Sequence, residues 1–151
     1  MYKRELTKKI RVIGKNQEFL GENGAPLSLG NASEFLTKEF IYDLRKRAVS
    51  CNRPVELLWY IVERIEQQGK ILRGRSEDED HSLVLMTVCI FCYTFGVSIL
   101  DIKFSIGVFG FSYLIEHEES TNNELLSLLD LYRDEWEALI KEYENEKKNN
   151  D

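Results

Sequence analysis

The sequence predicts an all-α fold: a bundle of five to six helices around a central apolar helical hairpin at about residues 81–117, in one domain over residues 1–151. Three observations support this. Apolar residues recur at helical spacing along most of the chain. Only 2 Pro and 9 Gly occur in 151 residues, too few for a turn-dense β-sandwich. Residues 83–100 carry no charge, and one-sided helices are available to cover them. A content of 43% hydrophobic and 30% charged residues excludes disordered and collagen-like chains.

In chain order, Tyr2, Leu6, Ile10 and Ile13 give residues 2–13 the pattern of a short amphipathic helix. Gly21, Gly24, Pro26 and Gly30 mark a loop. Asn31-Ala32-Ser33-Glu34 has the form of a capping box, and Leu36, Phe40, Leu44 and Ala48 follow at i+4 intervals, so a helix is expected over 32–50. Arg45, Lys46 and Arg47 near its end suit the negative pole of the helix dipole. Pro54 fits the first turn of the next helix, where its missing N–H costs nothing. Val55, Leu58, Val62 and Ile65 form a stripe there, widened by Leu57 and Ile61, and Gly69 is the expected stop. Residues 73–80 contain no apolar member and read as an exposed loop. The uncharged run 83–100 is interrupted by Asp101 and Lys103 and resumes over 104–115. Thr121-Asn122-Asn123-Glu124 has a second capping-box pattern, expected to open a long helix at about 122–147. Leu125, Leu128, Leu129, Tyr132, Trp136, Leu139, Ile140 and Tyr143 share one face of it, and the chain is expected to fray from about Glu146 to Asp151.

Eighteen helical residues rise about 27 Å, close to the hydrocarbon thickness of about 30 Å, so length alone permits residues 83–100 to cross a membrane. A membrane-associated immunity or accessory protein is therefore an alternative reading. A crossing would leave amphipathic helices on both sides without cover, whereas a buried central helix uses their apolar faces. The buried helix is the expectation. The N-terminus is basic with no apolar run behind it, unlike a secretory signal, and the three Cys do not form a disulfide framework. A cytoplasmic protein with reduced thiols is expected.

Few residues suggest chemistry. Cys89-Ile90-Phe91-Cys92 has a redox-like spacing, but it sits mid-run among apolar residues, where thiols are buried and inert. In an antiparallel hairpin His81 and His117 would come to the same end, near Asp78, Glu79, Asp80, Glu116, Glu118 and Glu119. Such clusters are more often solvated helix ends, and no metal or cofactor is expected. Arg75-Ser76-Glu77-Asp78-Glu79-Asp80-His81 resembles the Arg-x(4–6)-His signature of the HEPN ribonucleases, small helical bundles in which the Arg and His act on the RNA 2′-hydroxyl and phosphate. That resemblance implies an RNA-cleaving site at Arg75 and His81. Here Ser76 follows the Arg where the family commonly has Asn, Asp or His, and four carboxylates then separate it from the His and would repel a phosphate. No catalytic residue is expected, and no direct contact with nucleic acid.

Charge is the strongest functional pointer. The net charge is −6, yet residues 1–53 carry 11 Lys/Arg against 6 Asp/Glu, and residues 116–151 carry 12 acids against 4 bases. Acidic surfaces attract basic proteins and repel nucleic acid. The expected role is that of a small acidic inhibitor, of immunity or antitoxin type, that neutralises a basic partner such as a nuclease toxin. The expected contact residues are Glu77, Asp78, Glu79 and Asp80, with Asp130, Asp134, Glu135, Glu137, Glu142 and Glu144 on the last long helix.

Overall fold

The computed structural model describes residues 35–68, 77–97, 101–102 and 111–150, and they form an all-α bundle. Six helices lie among them: α1 (Lys38–Val49), α2 (Val55–Gln67), α3 (Glu77–Phe95), α4 (Phe111–Glu116), α5 (Glu118–Leu131) and α6 (Arg133–Asn150). The expected helix at 2–13, the loop at 21–30, the capping box at 31–34, Gly69 and residues 73–76 fall outside the described residues.

The centre of the bundle is α3. It packs most extensively on α2 and also touches α1 and α6, while α1 lies along α6 and α5 bridges α2, α4 and α6. From Leu83 to Phe95 every described side chain except Tyr93 is buried. A helix apolar on all sides needs cover on all sides, and the stripes of its neighbours supply it: Leu44 and Ala48 from α1, Leu58, Ile61 and Ile65 from α2, Trp136 and Ile140 from α6. The buried hydroxyls of Thr87 and Thr94 donate to the carbonyls of Leu83 (2.8 Å) and Ile90 (2.7 Å), so neither adds an unsatisfied donor to the core. Helical backbone ends at Phe95, short of residue 100. Gly96 follows with φ 73°, a left-handed cap that glycine adopts without steric cost. The second arm of the expected hairpin is described only from Phe111, as the six-residue α4, which packs on α5.

Three other boundaries differ from expectation. Helix α1 starts at Lys38 rather than near residue 32, because Thr37 is the cap: its Oγ1 accepts from the Phe40 N–H at 3.2 Å. Glu77 to Asp80, expected in a loop, form the first turn of α3. The single helix expected at 122–147 is two helices, α5 beginning at Glu118 and α6 at Arg133, with Tyr132 between them. The α6 backbone is helical through Asn150, and Lys38 Nζ (3.4 Å from Glu146) and Tyr42 Oη (2.7 Å from Glu144) join it to α1.

Several helix ends are closed by side chains from distant elements. Pro54 has no capping side chain. Instead Asn122 Oδ1, from inside α5, accepts the Val55 N–H at 2.9 Å. Arg45, buried in α1, donates Nε–H to the Thr94 carbonyl (2.8 Å) at the end of α3, where a positive charge is favoured. Trp136 Nε1–H donates to the Leu129 carbonyl (3.1 Å), and Arg133 reaches the Val49 carbonyl (3.4 Å) at the end of α1.

Candidate functional site

The six acids expected on the last helix lie on α5 and α6, but not as one face. Asp130, Asp134, Glu135, Glu142 and Glu144 are exposed and Glu137 is half-buried. Asp134, Glu137 and Glu144 line a recess of about 500 Å³ between α1 and α6, floored by Val49, Ala138 and Ile140 and edged by Lys46 and Lys141. Glu142 borders a different recess beside α6, a groove of about 300 Å³ with Tyr42, Arg45, Tyr93 and Tyr143.

Internal pairing divides the acids further. Asp130 and Glu137 bond Arg133 at 3.2 and 3.4 Å. Glu144 accepts from Tyr42 Oη at 2.7 Å and lies 3.9 Å from Lys46 Nζ. That hydrogen bond to Glu144, with partial desolvation, raises the Tyr42 phenol above its usual pKa. Asp134, Glu135 and Glu142 form no ion pair among the described residues, so their charge remains directed at solvent. Glu77 to Asp80 are placed by their backbone at the start of α3, and their side chains lie outside the description.

Sequence reasoning missed the apolar residues beside these acids. Leu131 is 70% exposed at the end of α5, and Val49 is 43% exposed at the end of α1. Arg133, two residues beyond Leu131, touches the Val49 carbonyl, so both belong to the same end of the bundle. The available signal was that Leu131 falls off the stripe that runs through Leu125, Leu128, Leu129 and Tyr132.

The other candidates resolve differently. Cys89 and Cys92 are buried free thiols; desolvation pushes Cys89 up to about 12 and Cys92 well above its usual value, so neither supplies a nucleophile near neutrality. Among the described residues no group of three or more His, Cys, Asp or Glu is placed to hold a metal ion. His117 sits at the junction of α4 and α5. Arg75 and the side chain of His81 lie outside the described residues. No described helix is long and apolar enough to cross a membrane. Comparison with protein-family models, curated proteins and solved structures finds no match to this chain.

Proposed function

We propose that this protein works by binding, through the solvent-facing carboxylates of α5 and α6, a basic protein partner whose activity it neutralises, in the manner of an immunity protein or antitoxin acting on a nuclease. The observation that carries the reading is the pair Asp134 and Glu135, exposed and without ion pairs among the described residues, at the end of the bundle that holds the exposed Leu131 and Val49. An apolar patch rimmed by charge of one sign has the anatomy of a protein interface: the rim steers encounter and the patch sets lifetime. The reading needs no catalytic residue, cofactor or metal, and it places the protein in the cytoplasm. Affinity capture from the native host with mass spectrometry, followed by reconstitution from purified components, tests it. The expected result is a defined complex with a basic protein that loses activity on binding. A partner with an acidic or neutral contact surface would overturn the reading.

A further inference from the structure

We infer, resting on the functional reading above, that the recess between α1 and α6 takes an amphipathic helix of the partner, about three turns long. That helix sets a basic residue against Asp134 and, about two turns on, an acidic residue against Lys141. The recess has a volume of about 500 Å³ and an apolar floor of Val49, Ala138 and Ile140. Since α1 lies along α6, it is the open seam between two packed helices. Its rim follows α6 from Asp134 to Glu144, a rise of about 15 Å, or about three turns of an apposed helix.

The class of occupant follows from what the seam offers. An extended strand docks by backbone hydrogen bonds to a sheet edge, and the flanks of two helices, whose backbone groups pair internally, provide none. A helix needs no backbone partner and lays apolar side chains at i, i+4 and i+7 into such a seam. The floor is open to receive them: Val49 is 43% exposed and Ala138 is exposed. Leu131, 70% exposed, adds apolar surface at the Val49 end of the bundle.

Charge sets the register. Glu137 pairs with Arg133 at 3.4 Å, and Glu144 faces Lys46 at 3.9 Å while accepting from Tyr42 Oη. Those rim charges are met within the chain. Asp134 and Lys141 form no ion pair among the described residues. Standing at i and i+7, they share one face of α6 and lie about 10 Å apart along its axis. The unmet charge of the rim is therefore negative at the Val49 end and positive about two turns further. An occupant of uniform charge is repelled at one end of the seam, whereas one carrying Lys or Arg and then Asp or Glu at this spacing is attracted at both.

NMR titration of the full-length protein at constant ionic strength tests the seam with three synthetic Ala-rich peptides of about 16 residues, long enough to form helix. Each has Leu at i, i+4 and i+7, flanked at the two ends of the stripe by Lys and Glu, by two Lys, or by two Glu. Saturable shifts are expected at the amides of residues 46–49 and 134–144, with the Lys/Glu peptide binding about fivefold more tightly than either other. Lys141→Glu is expected to make the two-Lys peptide the tightest by a similar factor. Ala138→Arg, which fills the floor from an exposed helical position, is expected to weaken every peptide at least about tenfold. Melting curves establish that each variant is folded, and Lys141→Glu decides alone if Ala138→Arg is not. Shifts that fail to saturate or fall elsewhere, a peptide preference unmoved by Lys141→Glu, or affinity unmoved by a folded Ala138→Arg would overturn the proposal. A basic partner that is captured equally well by Ala138→Arg would overturn it too while leaving the functional reading intact. Seam binding as described, with only acidic or neutral partners captured, would support the seam and overturn that reading.

Discussion

At the scale of single residues, the buried thiols make a pH-dependent contribution with a definite sign. Burial raises Cys89 from 9.0 to about 12 and Cys92 in the same direction. The native state therefore keeps protons that the unfolded chain releases above about pH 9, and stability falls as pH rises, by about 1.4 kcal/mol per pH unit for each thiol held protonated. The contribution is fully present below the unfolded-state pKa and is lost between that value and about 12. Tyr60 and Tyr132, raised by burial and by bonds to Asp43 and Asp101, act in the same direction. Urea unfolding at a series of pH values is expected to show a declining midpoint above about pH 9. Cys89→Ala, though less stable overall, is expected to decline less steeply. Parallel slopes for the two proteins would refute the role given to Cys89.

Trp136 is a second residue whose weight follows from its surroundings. It is fully buried, meets Phe95 edge-on at 5.5 Å and donates to the Leu129 carbonyl. Trp136→Ala is expected to cost about 3–5 kcal/mol, from the lost transfer energy and the cavity left behind. Trp136→Phe keeps most of the volume but leaves Leu129's carbonyl without its indole donor, and it is expected to cost less. Chemical denaturation of the two variants checks the order.

At the scale of helices, the interior Asn122 of α5 stands in for the absent cap of α2. Asn122→Ala leaves the Val55 N–H buried without an acceptor and is expected to lower stability by about 1–2 kcal/mol. Asn122→Asp keeps an acceptor oxygen at a helix N-terminus and is expected to lose less. If both variants unfold at the same denaturant concentration as the parent, the cap contributes nothing. The break at Tyr132 has a comparable origin. Its hydroxyl donates to Asp101 at 3.1 Å, and the turn allows Trp136 to fold back onto the end of α5. No Gly or Pro marks residues 130–134, so local sequence holds no sign of it.

For the whole molecule, the proposed binding mode has a kinetic signature. Long-range attraction decays over a Debye length of about 10 Å at 0.1 M salt, so association with a basic partner is expected to slow steeply as salt is added. Asp134→Lys with Glu135→Lys is the suitable charge reversal, since neither residue has an internal ion pair among the described residues. Glu137 holds Arg133 and is a poorer choice. The reversal is expected to reduce the association rate and its salt dependence while shifting stability by no more than about 0.5 kcal/mol. Leu131→Ala is expected to act mainly on the dissociation rate. Stopped-flow measurements at two salt concentrations separate these effects, and an association rate indifferent to both salt and charge reversal would assign the acidic surface to solubility alone.

Sequence by itself determined the helical class, the stripes of α1 and α2, the start of α2 after Pro54, and the central place of the uncharged run. All of these follow from periodicity, charge and backbone chemistry, which are local and survive without knowledge of neighbours. Only the tertiary structure decided that Asn122 lies inside α5 and caps another helix, that the last long segment breaks at Tyr132, and that Asp134 and Glu142 border different recesses beside α6. It also brought Arg47, Tyr60 and Arg53 around one turn. The physical reason is shared by the cap, the break and the turn: a polar side chain is satisfied by whichever donor or acceptor packing brings within about 3 Å, and that partner can lie anywhere in the chain.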